Sequence, residues 1–466
     1  MDVVLAQPCD TCRALSSPRS ESGRLDASQP RGAGEFHRDD SPLSHCYCPI
    51  LGTATRLSAI GAHERTSTVD TWQGIDSEVS QTVREMSDAN LEAAGVQDRL
   101  VSEWSNTETI IWGGGYEGRT IHELVQNGAD EILRWVQDPE RPDFESGRLR
   151  VVLTSTDLYC ANEGSPISVD GVKTMLSAFN SGKRDDQIGR FGVGFKAVLQ
   201  VTDQPEFYST TGSFRFSKKV AKRLFSKIDS ESECPVLRTA TPIDFEEESA
   251  GEPILAELAE WGASSIVRLR LKPKMAGVLE DNIKTFDAEF LLFSPHVTSL
   301  HLESRIGTGM FRNLELELER SSNGTICREQ EETSWSGTLL LTEGNESVKW
   351  FVAQRVHRLS QGALDEAGPI TQRERVPVTW AVPESGTRLG RFWAFFSTDF
   401  ETTLSGILNA PWKTNPDRTS LHSAGEGDRD KNGFTYNGEL LNVATDLVVS
   451  SIPELRELWP DDHCRF

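Results

Sequence analysis

Apolar residues along this chain mark out helices and strands only after a long polar lead. From Ile75 to about Trp104, the positions Val79, Val83, Met86, Leu91, Ala94 and Leu100 recur at mostly helical spacing without a proline, which predicts a helical lead-in. After the break Gly113-Gly114-Gly115, the segment Thr120 to Val136 sets Ile121, Leu124, Val125, Ala129, Ile132 and Val136 on one stripe. That stripe predicts a second amphipathic helix. Leu149 to Leu158 reads as a strand, and the polar stretch from about Glu163 to Arg190 as a mobile cover with a short helix near Val172 to Phe179. Gly189 to Val201 reads as a glycine loop opening a helix, Glu206 to Phe216 as a hairpin around Thr211-Gly212, and Ser265 to Leu271 as an alternating strand. Beyond about residue 275, short strands are expected at Val297 to Leu302, Leu314 to Leu318, Val348 to Val356, Val376 to Val382 and Phe392 to Phe396, with a closing helix near Glu439 to Ser451. Helices and strands mix without the regular alternation of a doubly wound sheet, so the expected class is α+β.

Composition sharpens this picture at the N-terminus. Residues 1–70 are poor in apolar side chains and rich in Ser, Pro, Gly and Arg, the composition of a disordered tail that cannot repay its ordering entropy. The whole chain of 466 residues is long enough for two or three domains, and 37% hydrophobic against 26% charged residues allows a sizeable core. No run approaches the roughly 18 apolar residues of a membrane span, and the first residues lack the basic-then-apolar order of a secretory signal, so a cytoplasmic protein without a membrane partner is expected. A net charge of −23 opposes broad binding to phosphate backbones, which makes nucleic acid an unfavoured partner. The eight cysteines read as reduced thiols, although Cys9, Cys12, Cys46 and Cys48 would together supply four thiolates to a zinc with an unusual second spacing.

Three features carry candidate chemistry. Glu123 and Asn127 stand four apart and share a helical face, with Asp130 nearby. A carboxylate one turn before an amide suits a water-activating base beside a ligand for a hard cation such as Mg²⁺, and the plain alternative is a solvated helix face. Gly189-Arg190-Phe191-Gly192-Val193-Gly194-Phe195-Lys196 would present backbone N–H groups at a helix start, an arrangement suited to polyphosphate, although glycine-rich turns are common. Cys160-Ala161-Asn162-Glu163-Gly164 places a polar side chain where a strand ends, or is a simple strand-to-loop turn. The three features occur in an order, and in elements, that suit one site. His122, inside the same helix, reads as structural rather than as a phosphoacceptor.

Glu-Leu-Val-Gln-Asn-Gly-Ala-Asp, Asn-Glu-Gly and Ile-Gly-Arg-Phe-Gly-Val-Gly-Phe-Lys together resemble the successive boxes of the GHKL superfamily of ATPases, which includes DNA gyrase, HtpG-type chaperones, histidine kinases and MutL. Tyr116-x-Gly118-Arg119-x-Ile-x-Glu-Leu-Val-Gln-Asn is similar to sacsin-like and bacterial chaperone-like members. The resemblance covers roughly residues 105–275. It implies a Bergerat-type sandwich of helices on a mixed sheet over residues 71–275, followed by a middle or transducer-like α/β domain over 276–466, with ATP and Mg²⁺ as cofactors. Carried over by position, Glu123 is the general base, Asn127 the Mg²⁺ ligand, and Asp130 a support of the nucleotide site. Gly189, Gly192, Val193, Gly194, Phe195 and Lys196 cradle phosphates, Ser181 and Lys183 belong to a lid, and Ser265 helps fix the adenine. The usual adenine-reading Asp is Asn162 here, followed by Gly164, and the second glycine of that box is Pro166. Glu163 is the other candidate acceptor.

The run Leu408-Asn409-Ala410-Pro411-Trp412-Lys413-Thr414-Asn415-Pro416-Asp417-Arg418 is similar to the middle region of the same chaperone-like proteins. There the resemblance implies that Lys413 or Arg418 reaches the γ-phosphate; a solvated surface loop is the plain alternative. The expected activity is slow ATP hydrolysis that drives lid closure and interdomain movement on a protein client, with an ATP-dependent homodimer as a further partner. The alternatives are a nucleotide-gated signalling module with little turnover and a DNA-acting relative of gyrase or MutL.

Overall fold

Local backbone geometry and hydrogen bonding divide two of the expected elements. The helical lead-in is α1 (Glu78–Val96) and α2 (Arg99–Gly113), because the backbone leaves the helical region at Gln97 (φ −135°, ψ 88°) between them, and Ser77 caps the first by accepting from Ser80 N. The expected strand Leu149 to Leu158 is a hairpin of β1 (Gly147–Leu153) and β2 (Asp157–Asn162). The Thr154 hydroxyl accepts from the N–H groups of Thr156 and Asp157, which closes a tight turn that contains neither glycine nor proline. The computed structural model describes residues 71–113, 119–177, 195–230, 233–321, 334–367, 374–384, 389–414, 421 and 435–460. The tail 1–70 with Cys9, Cys12, Cys46 and Cys48, the residues Ser181, Lys183, Gly189, Gly192, Val193 and Gly194, and Arg418 lie outside the described residues.

Between the lead-in and the hairpin stands α3 (Thr120–Val136), over the segment its apolar stripe predicts. After the hairpin come α4 (Val169–Leu176), a 3-10 turn at Phe195–Gln200 in place of the expected helix, β3 (Thr202–Ser209) and β4 (Ser213–Phe216). Gly212, at φ +143°, turns β3 into β4 as the Thr-Gly pair predicts. Next are α5 (Lys218–Phe225), β5 (Ala240–Ile243), α6 (Phe245–Gly251), α7 (Pro253–Trp261), β6 (Ser265–Leu271) and α8 (Met275–Lys284). The chain continues with β7 (Val297–Ser304), β8 (Met310–Ser321), β9 (Ser334–Glu343), β10 (Glu346–Arg358), α9 (Gln361–Ala367) and β11 (Arg375–Pro383). It closes with β12 (Leu389–Trp393), β13 (Ser397–Ser405), β14 (Ile407–Asn409) and α10 (Tyr436–Leu458).

Among the described residues all the strands join one mixed sheet of 14, in the order β13-β12-β14-β11-β10-β9-β8-β7-β1-β2-β6-β3-β4-β5. The pairs β1/β7 and β12/β14 are parallel and the others antiparallel. The protein is α+β. β2 is buried on both faces: Leu158 and Cys160 pack with Ile121, Leu124 and Val125 of α3, whereas Tyr159 and Ala161 pack with Leu255 and Leu258 of α7. Farther along the sheet, Leu440, Val443 and Leu447 of α10 bury against Phe351, Trp380 and Leu408. Among the described residues no helix is long and apolar enough to cross a membrane.

Candidate cleft beside the third helix

The site begins with two close approaches to α3. A Cβ on Gly128 would stand 2.5 Å from Leu149 Cδ2, so the absence of a side chain lets the helix settle on β1. A Cβ on Gly164 would stand 2.4 Å from both Glu131 C and Ile132 N, backbone atoms that have no rotamer to yield. The chain therefore folds back across α3 as soon as β2 ends. Asn162 Oδ1 accepts from Gly164 N (2.9 Å), and Ser165 N donates to Glu131 O (2.9 Å), which fixes the turn and its seat on the helix.

Between α3, the ends of β2 and β6, and this returning loop lies a cleft with mostly apolar walls and a few polar side chains, the make-up of a small-molecule site. Asn127, Glu131 and Arg134 line it from α3, Asn162 from β2 and Ser265 from β6. Asn162 and Ser265 are cross-strand partners, and Ser265 in turn faces Ser209 of β3. A chain of hydroxyls crosses these strands. Ser265 Oγ is 3.2 Å from Ser209 Oγ, which is 3.3 Å from Thr211 Oγ1 and accepts from Ile167 N (3.0 Å), while Thr211 donates to Ile167 O (2.7 Å). These bonds hold the loop after β2 over the sheet. Ser209 and Thr211 escape a reading from sequence, where the only signal is a hydroxyl-rich run at a hairpin turn.

The first turn of α3 buries Glu123, and Asn127, one turn on, is half-buried on the cleft wall with Asp130 half-buried beyond it. His122 stacks on Phe286 with ring centroids 4.9 Å apart and meets the Phe396 ring edge-on at 4.6 Å. Burial first, and Arg119 second, push its pKa down to about 4, so it is a neutral packing residue. Glu163 is committed elsewhere: its Oε2 accepts from Arg148 N (2.9 Å) and its Oε1 binds the Arg148 guanidinium. Cys160 lines the cleft with a thiol that burial pushes up to about 12, which leaves it unreactive. Phe195 and Lys196 begin the 3-10 turn, whose backbone packs against α2 and α3.

Lys413 is not among the cleft-lining residues. Its Nζ pairs with Glu366 Oε1 (2.9 Å) and donates to Glu366 O (3.0 Å), beside α9 and the start of α10. Among the described residues no group of three or more His, Cys, Asp or Glu is placed to hold a metal. A Mg²⁺ ion at Asn127 would thus take most of its oxygen ligands from a bound phosphate and water, a common arrangement for this ion.

No protein-family model matches the chain, and no curated protein matches it. A solved structure described as the N-terminal domain of a DNA repair protein is similar over 74% of this chain and 98% of its own, at 9% identity and a TM-score of 0.31.

Proposed function

We propose that the cleft beside α3 binds Mg²⁺-ATP and that the chain hydrolyses it slowly. The observation that carries this reading is the convergence on one cleft of Asn127, Asn162 and Ser265, residues from three separate parts of the sequence, with Glu123 one helical turn from Asn127. In this reading Glu123 takes a proton from the attacking water, and the Asn127 amide oxygen contributes a ligand to Mg²⁺. Bound Mg²⁺ would neutralise phosphate charge as the bond to the leaving group breaks. Asp130 supports the Asn127 side of the site, and Ser265 faces the base. Gly189, Gly192, Val193, Gly194, Phe195 and Lys196 would offer backbone N–H groups to the phosphates, and Ser181 and Lys183 would close over them.

The finer proposal is a GHKL-type, chaperone-like cycle in which an ATP-binding part over 71–275 moves a second part over 276–466 against a protein client. Sensing of the γ-phosphate by Lys413 would require its release from Glu366; Arg418 is the other candidate, and an Arg offers the better two-point contact. Equilibrium binding of ATP and of a nonhydrolysable analogue, set beside steady-state phosphate release, tests the proposal. Saturable binding with slow turnover is expected. Binding without turnover would reassign the chain to a nucleotide-gated module, and absence of binding would end the reading.

A further inference from the structure

Glu131 is a charged group that the proposed hydrolysis does not use. It lines the cleft from α3 with only 5% of its surface exposed, and neither carboxylate oxygen has a hydrogen-bond partner among the described residues. Arg134 Nη1 stands 2.8 Å from Oε2, on a side chain that is one-third exposed. Oε1 has no such neighbour among the described residues. A carboxylate in this position is costly to the fold, and burial pushes its pKa up to about 7 against the smaller opposing pull of Arg134.

The other acceptors near the end of β2 are engaged: Asn162 Oδ1 holds the Gly164 turn and both Glu163 oxygens hold Arg148. The remaining walls around Glu131 include Leu124, Ile167, Phe207 and Val267, which suit the faces of a flat ring. Apolar walls with one buried, unpaired carboxylate oxygen describe a site for a planar heterocycle that carries an exocyclic N–H donor. We propose that Glu131 reads the base of the bound nucleotide, its Oε1 accepting a hydrogen bond from the exocyclic amino group of a 6-aminopurine. The inference rests on the nucleotide reading above. A guanine edge, with two adjacent N–H donors, calls for both carboxylate oxygens, and Arg134 occupies one of them. A 6-oxopurine turns an acceptor oxygen toward Oε1 and is disfavoured.

The experiment is equilibrium titration of the full chain with ATP, ITP and inorganic tripolyphosphate, using wild type, Glu131→Ala and Glu131→Gln, with circular dichroism to confirm folding. Wild type should prefer ATP over ITP by about tenfold or more, the usual worth of a hydrogen bond to a charged group. Glu131→Ala should lose that preference while tripolyphosphate affinity stays unchanged, and Glu131→Gln, a neutral amide that can turn either its oxygen or its NH2 to the ring, should narrow it. Equal binding of ATP and ITP by wild type, or an unaltered preference in Glu131→Ala, overturns the assignment with the nucleotide reading intact. Failure of wild type to bind either ATP or tripolyphosphate overturns both.

Discussion

Glu131→Gln should stabilise the ligand-free protein at pH 8 and leave it nearly unchanged at pH 4. Burial raises the Glu131 pKa from 4.5 to about 7, so the folded chain holds this proton more tightly than the unfolded chain does. Below about pH 4.5 both states are protonated and the carboxyl is neutral in each. As pH rises from 4.5 to 7 the unfolded chain loses the proton first, and stability falls through that window by about 1.4 kcal/mol per unit. Above pH 7 the loss levels off at about 3 kcal/mol, the product of the shift and that slope. A Gln of nearly the same shape never ionises and escapes the loss. His122 and His296, both pushed down to about pKa 4 by burial, act in the opposite sense, adding stability between pH 4 and 6.5. They are common to both proteins and cancel in the difference. Urea denaturation of the two proteins between pH 4 and pH 8.5 measures that difference directly. A flat difference across this range, or a wild type more stable than the variant at pH 8, would refute the claim that Glu131 is a desolvated carboxyl.

The remaining expectations concern the frame of the cleft and its chemistry. Gly164→Ala should destabilise the fold by about 2 kcal/mol or more, because the new Cβ meets α3 backbone, and should abolish ATP binding; thermal melting and titration check both effects. Glu206 is fully buried and receives Arg215 (2.6 Å), Tyr208 (2.8 Å) and Arg270 (3.0 Å), with Arg268 Nη1 3.5 Å away. Its replacement by Ala strips a partner from Tyr208, Arg215 and Arg270, while Arg215 keeps Glu248 and Arg268 keeps Asp157 and Glu252, and should cost about 1–3 kcal/mol in denaturant melts. Glu123→Ala should lower steady-state turnover by about 10²-fold or more with ATP affinity near wild type; unchanged phosphate release would remove Glu123 from the mechanism.

How much of this could be read from the residues depended on whether an element has one wet face. α3 and the β3–β4 hairpin announce themselves because their apolar positions follow a period and a Thr-Gly pair marks the turn. The β1–β2 hairpin is hidden: β2 is covered on both faces, so apolar residues run on across a turn built from Thr154, Ser155 and Thr156. β13 has the opposite problem, since it is an edge strand of mostly polar residues, with all but Thr398 half-buried or exposed, and no apolar face to betray it. β9, with Trp335, Gly337, Leu339 and Leu341 buried at two-residue intervals, carried a usable signal of alternation. At the site, Asn162 and Ser265 are nameable from the family resemblance, but their adjacency follows from the pairing of β2 with β6. Glu131 looks like any helical glutamate until the Gly164 turn is seen folded over it.

Titration of the full chain with ATP, with and without Mg²⁺, in wild type and Asn127→Ala bears most directly on the central claim. Asn127 stands on the cleft wall, and its amide oxygen is the protein ligand assigned to the ion that bridges helix and phosphates. Wild type should bind ATP saturably, more tightly with Mg²⁺ than without, and Asn127→Ala should lose the Mg²⁺-dependent part. No binding by wild type, or equal affinities with and without Mg²⁺, would contradict the account.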